Sequence, residues 1–185
     1  MIYSWIKIIR FGLPLLTICV LIEIFAGSIL QGGQNILIDI PIFLISIPVI
    51  NSVGGNIGSI LGARLASGLH VGSITLNLED KHMHENVFTS ILLGICSYVI
   101  LAIVIYYIGT FTGTTKGIEL IPYLIIFIGT GVFLICILTF VSVFSAFISY
   151  KKGIDPDDVV APLVTTFGDT IGIMLLFFFL GSIMI

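Results

Sequence analysis

Five stretches of this chain are long and apolar enough to cross a bilayer, and that constrains its fold more than any single residue. They run roughly from Phe11 to Leu30, Pro41 to Ala63, Val87 to Tyr107, Leu120 to Ile148 and Val159 to Ile185. Crossing the hydrocarbon takes about 20 mainly apolar residues. In lipid a span must satisfy its own backbone hydrogen bonds, and alternating strands of about ten residues are absent, so all five are expected to be helices. Composition points the same way. Of 185 residues, 58% are hydrophobic and 9% charged, where a soluble domain has about 45–50% and 25%. A soluble enzyme and a disordered chain are excluded. Seven Lys and Arg against ten Asp and Glu leave no basic patch for nucleic acid. The three cysteines, Cys19, Cys96 and Cys136, lie in separate apolar runs and read as small hydrophobes rather than a disulfide framework.

The breaks between spans read as loops at Gln31–Asn35, Gly109–Gly117 and Lys151–Asp158, with one longer polar connection from Gly68 to Asn86. Lys7 and Arg10 precede the first span, Arg64 and Lys81 lie between the second and third, and Lys151 and Lys152 between the fourth and fifth. Only Lys116 lies on the other side. The positive-inside rule then places the N-terminus in the cytoplasm and the C-terminus outside. Tyr3, Trp5, Tyr106, Tyr107, Tyr123 and Tyr150 fall at span ends, as an aromatic belt would. Glu23 inside the first span argues against a cleaved signal peptide.

An ionisable group at bilayer depth costs about 2.5–3.5 kcal/mol on insertion scales, so it marks function before structure. Glu23 and Asp169 qualify, with Asn51 and Asn56 as uncharged additions, while Arg64 sits where it can snorkel to the interface. The fifth span opens with Asp155-Pro156-Asp157-Asp158, an N-cap acid before a proline at the first helical position. Asp169 then lies about 15 Å beyond Val159, near the midplane. At about 100° per residue it shares a face with Pro162, Thr165, Thr166 and Ile173. Pro162 frees the carbonyl of Asp158. Carboxylate, hydroxyl and carbonyl oxygens suit a hard divalent cation such as Mg²⁺ that keeps several waters. A protonated or hydrogen-bonded structural acid is the alternative.

In the second span Gly54, Gly58 and Gly62 repeat every four residues, a pattern that brings two helix backbones close. Asn56 lies off that arc. Either it faces another surface, or the chain unwinds at Gly54-Gly55 and presents carbonyls. Glu23 is a candidate pathway or coupling-ion site, or a partner for Arg64 or an asparagine. His82, His84 and Glu85 are candidates for a regulatory metal site, although their spacing matches no zinc signature and a solvated loop is the default. Enzyme chemistry has no basis: no second aspartate accompanies Asp169 in a span, all three histidines lie in the polar connection, and no H-E-x-x-H occurs.

Two blocks carry a family resemblance. Gly54-Gly55-Asn56-Ile57-Gly58-Ser59 with Arg64-Leu65-Ala66-Ser67-Gly68 resembles the glycine-glycine-asparagine motif of the MgtE family and solute carrier family 41. Asp155-Pro156 and Ala161-Pro162-Leu163-Val164-Thr165-Thr166-Phe167-Gly168-Asp169-Thr170-Ile171-Gly172 resembles that family's last membrane helix. The resemblance covers essentially the whole chain. It implies an all-α membrane protein, a single domain over residues 1–185, moving Mg²⁺ and other divalent cations across the cell (inner) membrane. The pore would form in a homodimer, with Mg²⁺ as cargo and no organic cofactor. By that resemblance Asp169 is the central pore ligand, with Thr165, Thr166 and Asn56 meeting the ion or its waters. Gly54 and Gly55 would line the pathway, and Asn51 and Pro162 are expected to join them. A Na⁺- or H⁺-coupled exchanger and a non-transporting assembly subunit are the alternatives. Two departures stand out. About ten residues precede the first span, where MgtE proteins carry a soluble sensor. Ile60 stands where MgtE usually has glutamine, which is nearer to solute carrier family 41. No internal repeat is found, so the unit is expected to pair with itself.

Overall fold

Each hydrophobic stretch coincides with one long helix. A computed structural model describes the backbone of residues 5–77 and 79–184, and the side chains of all of these except Trp5, Lys7, Ile8 and Met184. The helices are α1 (Trp5–Gly32), α2 (Gln34–Asp39), α3 (Ile42–Val71), α4 (Lys81–Thr112), α5 (Leu120–Lys151) and α6 (Pro156–Met184). Five of them, all but α2, are long and apolar enough to cross a membrane. Tyr3, the Trp5 side chain and the expected end of the last span at Ile185 lie outside the described residues.

Hydropathy marks where lipid begins, whereas capping chemistry marks where a helix stops, and this corrects three expected loops. The polar connection shrinks from 68–86 to 72–80. Gly72 ends α3 in the left-handed conformation at φ +79, while Asp80 starts α4 by accepting from the Met83 N–H at 3.1 Å. The exposed polar residues between are the last turn of α3 and the first turns of α4. At the other end of α4, Thr114 N–H donates to the Gly109 carbonyl and Gly113 N–H to Thr110. With Gly113 at φ +71 this is a Schellman stop. The expected loop 31–35 narrows to Gly33 between α1 and α2. A side chain there would strike the Phe177 ring, so glycine lets the chain turn beneath α6.

Packing is centred on α3, α5 and α6; α4 lies against α3 and α5, and α1 rests on α6 and α2. The core is built from Ile50, Leu61 and Leu65 of α3, Phe127, Leu134 and Leu138 of α5, and Val160, Val164 and Leu176 of α6. The glycine row runs along this seam inside one chain. A Cβ on Gly54 would meet the Tyr98 hydroxyl at 2.9 Å, while Gly58 and Gly62 press on Val164 and Val160 of α6. Two buried hydroxyls tie neighbouring helices to α3: Tyr98 donates to the Ile50 carbonyl at 2.9 Å and Ser142 to the Gly58 carbonyl at 2.8 Å. The expected aromatic belt needs one correction. Tyr123 is fully buried and shares a 2.9 Å hydrogen bond with Ser46, so it belongs to the α3–α5 contact.

Candidate cation pathway

The start of α6 follows the expected capping chemistry. Asp155 Oδ1 accepts from the Asp157 N–H at 3.2 Å, with Pro156 as the first helical residue. His70, near the end of α3, comes within 3.5 Å of the same oxygen. The helix then continues unbroken through Pro162 to Met184.

Small residues bring α3 and α6 together at mid-helix. Gly55 meets Thr165, with its Cβ position 3.6 Å from the Thr165 Cα, and a Cβ on Gly168 would lie 3.8 Å from both the Gly55 Cα and the Asn51 carbonyl. This antiparallel contact sets residues in layers. Asn56 lies level with Thr165, and Ser52 level with Asp169. Asn56, Ser52 and Thr165 are exposed and Asp169 is half-buried. Asn56 donates to the Ser52 hydroxyl at 3.2 Å, and Thr165 to the carbonyls of Ala161 and Pro162 at 3.0 and 3.1 Å. A hydroxyl that donates to its own helix keeps oxygen lone pairs turned elsewhere. The result is an uncovered strip of amide, hydroxyl and carboxylate oxygens at membrane depth. Elsewhere the exposed surface is typified by Ile100 on α4 and Phe133, Phe140 and Phe144 on α5, which suits lipid.

The other expected site residues divide. Thr166 is buried and donates to Glu23 Oε1 at 3.1 Å, so that carboxylate of α1 is tied to the turn of α6 preceding Asp169. Glu23 is not joined to Arg64 by any ion pair among the described residues. Asn51 is only 6% exposed. It sits in the α3–α6 seam instead of on the strip, with Nδ2 donating to the Asp169 carbonyl at 3.3 Å and Oδ1 buried without a partner. Gly54 is turned away from the strip toward α4 and α5. The helix does not unwind at Gly54-Gly55, so Asn56 reaches the surface by rotation about an intact helix. Pro162 is half-buried, and its carbonyl also lies 3.8 Å from Cys19 Sγ. Sequence reasoning missed Ser52, although it stands one helical turn before Asn56.

His82, His84 and Glu85 are exposed on the first turns of α4. Glu85 is shared by His82 at 3.5 Å and Lys81 at 3.9 Å, and no three His, Cys, Asp or Glu side chains gather as a metal site among the described residues.

The divalent cation transporter family MgtE matches residues 47–179, most of the chain. The chain belongs to the MgtE family. No curated protein and no solved structure matches it. The MgtE match takes in Ser52, Asn56, Thr165 and Asp169, and begins after α1 and Glu23. MgtE is a family of multi-pass membrane transporters and not of enzymes, which agrees with five membrane-length helices. This MgtE chain is therefore a divalent cation transporter, and the oxygen-bearing strip is its candidate pathway.

Proposed function

We propose that the protein moves Mg²⁺ across the cell membrane through a pore on the two-fold axis of a homodimer. The observation that carries this reading is the polar strip of Ser52, Asn56, Thr165 and Asp169, left uncovered at membrane depth. Lipid is a poor neighbour for such groups, and a second copy or a water-filled path is a good one. Two-fold symmetry would set the strip against itself and bring two Asp169 carboxylates together. Like charges that close resist joint ionisation unless a cation lies between them. A hydrated Mg²⁺ supplies that charge, with its waters meeting the hydroxyls of Thr165 and Ser52 and the amide of Asn56. The basic residues favour a cytoplasmic N-terminus. A membrane potential of 100 mV then drives uptake by about 2.3 kcal/mol per charge.

The test is Mg²⁺ flux into liposomes loaded with an indicator dye. Asp169→Asn is expected to lower flux at least about tenfold, with helical content and assembly unchanged, since the neutral amide removes the charge. Flux at the wild-type rate would reject the pore reading and favour an assembly subunit. The Thr166–Glu23 hydrogen bond supports a second reading, exchange against Na⁺ or H⁺, because it sets a second carboxylate beside the first. Under that reading flux follows an imposed sodium or proton gradient, and Glu23→Gln removes the dependence while sparing potential-driven flux.

A further inference from the structure

A cleft of about 630 Å³ opens between the second half of α3 and the first turns of α4. Ile60, Ala63, Val71 and Ile74 form an apolar wall, and Arg64, Ser67, Ser73, His82 and Asn86 supply the polar one. It lies beyond the candidate pathway along α3, with Arg64 about 12 Å further along the helix than Asn56. At about 100° per residue, Ala63 and Ser67 fall within about 20° of Asn56, and Arg64 lies about 80° from it on the α4 side, so the cleft prolongs the same face of α3 toward the end of the helix.

The polar and apolar walls coincide with the edge of the membrane. From Lys81 to Asn86 α4 is polar, and from Val87 it is apolar, with Phe88 68% exposed. Asn86 therefore sits at the water boundary, and Ile60, about 6 Å along α3 from Arg64, faces the hydrocarbon. Arg64 takes part in no ion pair among the described residues. The neighbouring acids are engaged elsewhere. Asp80 accepts from Thr75 and Met83, and Glu85 from Lys81 and His82. His82 Nδ1 faces Glu85, which leaves Nε2 as its free ring nitrogen.

From this the geometry points to a binding site for the phosphate headgroup of an anionic phospholipid. Arg64 holds the phosphate, Ser67 donates to one of its oxygens, and an acyl chain runs along Ile60. A guanidinium at the interface suits phosphate by charge and by its fork of donors, and basic clefts between membrane helices recognise anionic headgroups in this way. The apolar wall has no use for inorganic phosphate, which is why a lipid is the expected source.

Native mass spectrometry of the detergent-purified protein, incubated with phosphatidylglycerol or phosphatidylcholine, tests this. The wild type is expected to retain phosphatidylglycerol preferentially. Arg64→Gln lowers that retention about fivefold, and Ser67→Leu, which fills the cleft, lowers retention of both lipids. Lys151→Gln, a charge loss elsewhere, leaves retention unchanged, as does Asp169→Asn, so the outcome is independent of the pore reading. Equal retention of the two lipids by wild type, or undiminished phosphatidylglycerol on both Arg64→Gln and Ser67→Leu, would overturn the proposal. Displacement of the lipid by millimolar inorganic phosphate would make this a free-phosphate site and overturn it equally.

Discussion

Asp80 illustrates how one side chain sets a boundary that hydropathy missed. Its carboxylate accepts from the Thr75 N–H and hydroxyl at 2.9 Å each and from the Met83 N–H at 3.1 Å. Those donors, Thr75 N–H foremost, pull its pKa down to about 2. A carboxylate with a depressed pKa stabilises the folded state above its ordinary value of 3.8 and loses that contribution as pH falls through about 2. Between pH 4 and 2, amide exchange at Thr75 and Met83 is therefore expected to accelerate in the wild type. Asp80→Asn, which has no such charge to lose, should show no step in that window. Asn51 is a second case. The sequence marks it as polar at depth but cannot tell a pore amide from one that clasps the next helix. Its bond to the Asp169 carbonyl makes it a positioning residue. Asn51→Ala is expected to cost about 0.6–1 kcal/mol in denaturation of the solubilised protein.

Helix by helix, the number and order of the spans are legible in hydropathy, because 20 apolar residues admit little else in a membrane. Their true ends are not, since the outer turns of α3 and α4 are polar and exposed, and α2 is too short to leave a periodic signature. The glycine row is legible as a packing surface but not its partner. Its contacts with Tyr98, Val160 and Val164 place it inside the chain, so a defect there belongs to folding of the single subunit and not to pairing of subunits. Gly58→Ala is expected to destabilise by about 1–3 kcal/mol, since its Cβ would strike Val164. Gly27→Ala, whose Cβ would meet nothing within 4 Å, should be neutral or stabilising by up to about 1 kcal/mol from helix propensity. Thermal unfolding in detergent separates the two.

For the molecule as a whole, the uneven distribution of exposed polar groups is the main clue to assembly. One face of α3 and α6 carries Ser52, Asn56, Thr165 and Asp169, while α5 exposes Phe133, Phe140 and Phe144. If the polar strip is the face where two copies meet, Asn56→Cys should form a disulfide-linked dimer on mild oxidation, and Phe140→Cys should not. Both need a background in which Cys19, Cys96 and Cys136 are replaced, because two of these are exposed. A dimer linked only through Phe140→Cys would move the interface to α5 and remove the paired Asp169 carboxylates from the pore reading.

Membrane-length spans, five in number, and the N-cap at Asp155 were readable from order and composition, because they follow from local rules: span length and capping. Which groups stand beside Asp169 was not readable. That Thr166 turns to Glu23, that Asn51 is buried while Ser52 beside it is exposed, and that Asn56 shares a layer with Thr165 all depend on how α1, α3 and α6 meet. Those contacts join residues more than a hundred positions apart. They are chosen by the fit of glycines against valines and threonines across a seam, which no periodicity within one helix encodes.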